Sequence, residues 1–201
     1  VEGRAAGDAR AQLPRLLPGA CHTRKAPSPS HHTQLSPLPA FCQLCAGASD
    51  RLREGLQLRA AAPPPYTERQ ISAGGGAHRA PFVALDSALT QAGMTSAEVW
   101  LALAAVLHLG DVAFDADADG ERSRVRDDSV LRVAARTLGF KEGELRARLT
   151  TRLISVGRDD VTIPLKPTDA ARARDAVAKA LYSRLFAYLV ASLKKQMQPA
   201  P

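Results

Sequence analysis

Three carboxylates at alternate positions, Asp115, Asp117 and Asp119, precede Gly120 and copy the opening of a calcium-binding loop. In such a loop the spacing aims oxygens at one ion and glycine permits the sharp turn. The closing ligand is missing, because the twelfth position of that count is Arg126, a cation where a bidentate glutamate must stand. A solvated acidic loop is therefore expected here. Cys42 and Cys45 form a C-x-x-C on a predicted amphipathic helix, with no second pair at zinc-ligand spacing, and read as buried helix cysteines. His108 falls inside an apolar run and reads as a core histidine rather than a base or ligand. His31-His32 lacks partner residues. No phosphate-cradling G-x-x-x-x-G-K-[ST] loop, G-x-G-x-x-G, H-E-x-x-H or G-x-S-x-G occurs. The residues alone carry no catalytic constellation, and neither a metal nor a cofactor is expected on this chain.

The chain that must position any site has 201 residues, enough for one domain or a domain with a tail. Its longest uninterrupted apolar run is the nine residues from Val99 to Leu107, short of a bilayer span, and no secretory address is recognised near Val1. Three cysteines fit a reducing compartment, so a cytoplasmic location is expected, with no membrane partner. The net charge of +7 would suggest an anionic partner. However, 21 Arg against 6 Lys, with 37 Ala and no Asn, is the skew of a GC-rich coding sequence, and the basic residues are scattered. With no interleaved aromatics, nucleic acid is not expected as a partner.

Residues 1–40 hold six Pro and no aromatic or apolar period, the composition of a disordered leader. A helical period then runs through Phe41, Leu44, Cys45, Ala48, Leu52 and Leu56. Pro63-Pro64-Pro65 and Gly74-Gly75-Gly76 mark a surface loop over about 60–79, followed by a short stripe of Phe82, Leu85 and Leu89. Thr95 and Glu98 spell a capping box ahead of Val99–Leu109, whose apolar residues circle the axis and predict a helix buried on most sides. Asp127 or Asp128 caps the next helix, which stops at Gly139, and a short one carries Leu145 and Leu149. The period then falls to two: Leu153 and Ser155, then Val161, Ile163 and Leu165, flank Gly157-Arg158-Asp159-Asp160 and predict a β-hairpin. Thr168 is expected to cap a last long helix with Val177, Leu181, Leu185, Leu189 and Leu193 on one stripe, aided by an Asp175–Lys179 pair.

That last helix brings in a resemblance. Arg174-Asp175-Ala176-Val177-Ala178-Lys179-Ala180-Leu181-Tyr182-Ser183-Arg184-Leu185-Phe186 resembles the D-A-L-A-K-x-L-Y-x-x-L-F stretch of the myosin motor domain. Val106-Leu107-His108-Leu109-Gly110-Asp111 resembles that family's V-L-H-L-G-N, and Phe41-Cys42-Gln43-Leu44-Cys45-Ala46-Gly47-Ala48 its F-Y-Q-L-L-A-G-A. The blocks keep family order over about residues 41–193. Departures cluster at the end, where F-D-W-L-V becomes Phe186-Ala187-Tyr188-Leu189-Val190.

The resemblance implies the upper 50-kDa part of an actin-based, ATP-driven motor, with the hairpin Arg152–Leu165 as the actin-touching cardiomyopathy loop. It also implies that Asp159, sixteen residues before Asp175, is the acidic form of a site where other myosins carry a phosphorylated Ser or Thr. One fixed carboxylate supplies a charge there without a kinase. The expected actin-contacting residues are Arg152, Arg158, Asp159, Asp160 and Lys166, and the expected partners are the actin filament and the remainder of the myosin head. P-loop, switch I and switch II are not found, so ATP and Mg²⁺ are expected only in the complete family domain.

The expected architecture is mainly α with one β-hairpin, a fragment of the α/β P-loop motor fold without its central nucleotide-binding sheet. It divides into a leader at 1–40, outside the motor resemblance, a partial motor domain at 41–197 and a tail at 198–201. The rival expectation is a helical protein-interaction module with no actin or nucleotide function, for which the capped helices suffice.

Overall fold

The computed structural model describes residues 39–58, 79–156 and 159–197. Most of the expected leader, the expected Pro- and Gly-rich loop, Arg158 and the tail lie outside the described residues. Seven helices and two hairpins are described: α1 (Pro39–Gly47), α2 (Asp50–Gly55), α3 (Arg79–Gln91), α4 (Ser96–Asp111), β1 (Phe114–Ala116), β2 (Ser123–Val125), α5 (Asp128–Leu138), α6 (Glu142–Thr150), β3 (Thr151–Val156), β4 (Asp159–Pro164) and α7 (Pro167–Met197).

The centre is α4. Every residue from Val99 to Gly110 is buried, as the all-round apolar pattern predicts, and α1, α3, α5 and α7 all contribute to its cover. Its polar groups inside that shell are paired. The Trp100 indole N–H donates to Asp86 Oδ1 at 2.7 Å while the ring lies against Phe82 at 4.8 Å between centroids. His108 Nε2 sits 2.8 Å from the Leu56 carbonyl oxygen and donates to it, so the core-histidine reading holds. Burial pushes the His108 pKa below its ordinary value.

The long α7 runs antiparallel to α4. Near its start Arg174 Nη1 donates to the Val112 carbonyl just past the end of α4, and near its finish Gln196 Nε2 donates to the Ala92 carbonyl ahead of α4. At about 1.5 Å per residue α7 is roughly 46 Å long and α4 only about 24 Å, so α4 covers one stripe of part of α7. Ala170, Ala178, Leu181 and Leu185 are buried, but Phe186, Leu193 and Met197 are exposed by 58%, 43% and 82%. The apolar stripe expected through Leu193 is therefore fully buried only to Leu185, packs partly against the core at Leu189 and is exposed at Leu193. By length and composition alone α7 is also long enough and apolar enough to cross a membrane, a property that counting uninterrupted runs overlooks.

Several local expectations change. The first apolar stripe divides into two helices because Ser49 caps α2, accepting from the Leu52 N–H. Thr95 does stand at the start of α4, but its side chain makes no capping hydrogen bond; its backbone carbonyl accepts from Glu98 and Val99 instead. Thr168 is not the cap of α7. Lys166 is, through a carbonyl that accepts from Asp169 and Ala170, and Pro167 takes the first helical position where its missing N–H costs nothing. Asp175 is held by Arg174 at 2.8 Å. Asp127, by contrast, caps α5 as expected, and Gly139 ends it at φ 76°, a left-handed conformation that glycine adopts without a Cβ clash.

The largest correction is a second hairpin. The stretch read as an acidic loop pairs Phe114 with Val125, Asp115 with Arg124 and Ala116 with Ser123. Residues Asp117–Gly120 form a turn in which the Gly120 N–H donates to the Asp117 carbonyl, with Gly120 at φ 74°. Arg126 binds Asp115 Oδ1 through Nε at 3.0 Å and Nη2 at 2.8 Å. The cation that broke the calcium pattern thus occupies the first carboxylate of that pattern, and holds the Asp115 pKa below the usual carboxylate range.

Candidate functional site

The hairpin β3–β4 pairs Thr151 with Pro164, Arg152 with Ile163, Leu153 with Thr162, Ile154 with Val161, Ser155 with Asp160 and Val156 with Asp159. Asp159 and Asp160 therefore belong to the start of β4 rather than to a turn. Because successive strand residues alternate faces, Asp159 shares one face with Arg152, Ile154, Val161 and Ile163, while Asp160 shares the other with Leu153, Ser155 and Thr162. Both carboxylates are exposed at the distal end. Ser155 Oγ donates to Asp160 Oδ1 at 2.6 Å and holds that carboxylate against its own strand partner.

The proximal end is anchored. The Leu165 N–H donates to the Thr150 carbonyl and the Leu165 carbonyl accepts from the Ser123 N–H, both at 2.8 Å, so the first hairpin braces the exit of the second. Lys166 Nζ reaches Glu121 Oε1 at 3.0 Å, an exposed ion pair. The ribbon itself has little cover: Leu153 is 61% and Val161 43% exposed.

The five residues expected to act together do not form one cluster. Asp159 and Asp160 sit at the tip. Arg152 lies opposite Ile163, about 13 Å back at about 3.3 Å per residue. Lys166 is beyond the ribbon and tied to the first hairpin. Arg158 lies outside the described residues. Sequence reasoning missed Ser155 and Glu121 as partners of these side chains. It also missed the bracing hairpin, although its Asp-Gly dipeptide is a hairpin signal.

Elsewhere, Gln57, His108, Asp111, Asp127, Ser129, Val130 and Val133 line a shallow cleft of about 230 Å³. Its groups are committed to structure: His108 to Leu56, and the Asp127 carboxylate to the N–H and hydroxyl of Ser129. Among the described residues no group of three or more His, Cys, Asp or Glu could hold a metal ion. Cys42 is buried and Cys45 partly buried, and burial pushes the Cys45 pKa up to about 12, far from a reactive thiolate.

Comparison with known proteins shows the family. Residues 38–200 match the myosin head (motor domain) family. The chain is 37% identical to the unconventional myosin IC of Drosophila melanogaster over 79% of its own length and 16% of that protein's. It is 34% identical to Arabidopsis thaliana myosin-3 over 78% of the chain and 14% of the relative. For human unconventional myosin-Vc the identity is 32%, over 79% and 9%. The chain thus spans less than a fifth of the length of these curated relatives. A mostly helical body carrying two small antiparallel hairpins is compatible with part of such a head, and the chain belongs to the myosin head (motor domain) family.

Proposed function

We propose that this chain supplies the upper 50-kDa scaffold of a myosin motor domain and, on it, a hairpin that touches the actin filament. The observation that carries this reading is the β3–β4 ribbon. It is exposed on both faces, bears Asp159 and Asp160 at its tip, and is anchored directly ahead of the helix containing Arg174-Asp175-Ala176-Val177-Ala178-Lys179. A ribbon with so little packing contributes little to the core, and its exposed Leu153 and Val161 suit it to a partner.

Asp159 is the residue proposed to matter most, as a fixed negative charge at the filament contact. Asp160 and Arg158 accompany it, whereas Arg152 and Lys166 act at the base. ATP and Mg²⁺ chemistry belongs, in this proposal, to other parts of the head, and this chain does not hydrolyse ATP by itself. The bare outer stripe of α7, with Phe186, Leu193 and Met197, is covered in the proposal by the remainder of the head. A cytoplasmic, actin-cytoskeletal location follows from the same reading.

The test is Asp159→Ala in a complete motor carrying this segment. Actin activation of the ATPase is expected to fall while basal hydrolysis stays unchanged. Equal activation of the two forms would discard the assignment.

A further inference from the structure

The distal half of α7 carries an apolar seam of its own. At about 100° per residue, Phe186, Val190, Leu193 and Met197 fall within about 60° of one another and roughly 120° from the buried stripe of Ala178, Leu181 and Leu185. The seam therefore faces away from the core. Phe186, Leu193 and Met197 are exposed and Val190 is half-buried, while Gln196 Nε2, on the core side of the same turns, donates to the Ala92 carbonyl and holds the end of the helix against the body.

Charge around the seam is one-sided. From Ala176 to Met197 there is no Asp or Glu, whereas Lys179, Arg184, Lys194 and Lys195 are cations, and both terminal lysines are exposed. Two copies of this face would offer each other no acid. Among the described residues α7 is the helix long and apolar enough to cross a membrane, and only 17% of its most apolar eighteen-residue window is buried, so packing inside the body does not account for that composition. Crossing would pull Ala178, Leu181 and Leu185 out of the core. What the helix can offer without unfolding is its outer face, apolar along the middle and cationic at the rim, the pattern of a helix that lies in a lipid interface. The expectation of no membrane partner weighed spanning runs and not such a face.

We infer that the outer face of distal α7 docks on an anionic lipid surface. Phe186, Leu193 and Met197 enter the boundary between headgroups and acyl chains, and Lys194 and Lys195 extend their ammonium groups to lipid phosphates. Apolar burial supplies the hold, and the lysines select anionic lipid. This goes beyond the function proposed above and does not rest on filament contact. The remainder of the head and a lipid surface compete for one seam, so the docking belongs to the chain while that seam is bare.

The full chain is sedimented with vesicles of phosphatidylcholine alone and with vesicles of phosphatidylcholine and phosphatidylserine in equal parts, beside a control without vesicles. Binding to the mixed vesicles is expected, at least about tenfold weaker to phosphatidylcholine alone and weaker as salt rises. Phe186→Ser with Leu193→Ser should weaken it at least about tenfold, and Lys194→Gln with Lys195→Gln by about tenfold on the mixed vesicles. Because all four side chains are exposed, both variants should melt as the unchanged chain does, and Leu153→Ser, which removes an exposed leucine from the ribbon, should bind as before. No binding to the mixed vesicles overturns the inference and leaves the seam to a protein partner. Undiminished binding by the Phe186→Ser, Leu193→Ser variant overturns it too, because charge alone is then the cause, and so does a loss in Leu153→Ser that matches theirs. If the chain docks and a complete motor carrying it docks equally well, the lipid assignment stands and cover of the seam by the remainder of the head is what fails.

Discussion

The central helix α4 and the β3–β4 ribbon use similar residues to opposite ends. In α4, Leu103, Val106, Leu107 and Leu109 are enclosed on every side and even Trp100 and His108 find partners within the shell. In the ribbon, Leu153 and Val161 face outward, and what order the tip has comes from strand pairing and one serine–carboxylate bond. The helix therefore determines whether the chain folds, and the ribbon determines what the folded chain presents. Between them stands α7, with one stripe sealed into the core and the outer stripe bare. An interior that is complete around α4 yet incomplete around α7 is what a portion of a larger head should show.

The contrast can be broken first at its centre. Leu107→Ala removes a fully buried side chain and should cost about 2–5 kcal/mol, against within about 0.5 kcal/mol for Leu153→Ala, read from denaturant midpoints. Similar losses at the two sites would mean that the ribbon is packed after all.

A smaller, pH-dependent loss is expected at His108. Its folded-state pKa lies below the ordinary value of 6.5, so the unfolded chain binds the proton first as pH falls. The contribution is fully present above about pH 6.5 and is lost as pH drops from there through the folded pKa. Unfolding measured at about pH 7.5 and about pH 5 should therefore show a decline that His108→Gln largely removes. An equal decline in both proteins would assign the effect to other groups.

The smallest effect belongs to the exposed pair at the ribbon's base. Glu121→Gln should change stability by less than about 1 kcal/mol, and by less still at high salt, because exposed ion pairs are weak and screened. A larger loss would show that the Lys166 contact, and not the Leu165 backbone bonds, is the main brace.

How much of this was legible in the sequence depended on whether a signal was local. The all-round run Val99–Leu109 could only be an enclosed helix, and the period of two about Gly157 could only be a ribbon, so both were readable. The cap at Asp127 and the stop at Gly139 are equally local. The first hairpin was hidden because alternating aspartates satisfy a metal-loop pattern and a solvated strand alike, and the Arg126–Asp115 contact that decides between them spans eleven residues. The end of the α7 stripe was hidden for a different reason. Leu185 and Leu193 are the same residue type eight positions apart, but at about 100° per residue the second is turned roughly 80° from the first, and α4 is the shorter helix, so Leu193 is left uncovered. At the candidate site the tip acids were legible from the resemblance. Their separation from Arg152 and Lys166 was not, because it follows from strand register and from a contact with Glu121 forty-five residues away.

Physical contact between the ribbon and the filament is the central element of the proposed function, and hydroxyl-radical footprinting of a complete motor carrying residues 38–200 reads that contact directly. On adding actin filaments, oxidation of Leu153 and Val161 should fall severalfold while that of the enclosed Leu107 stays low throughout. Unchanged oxidation of both ribbon residues at saturating actin would contradict it.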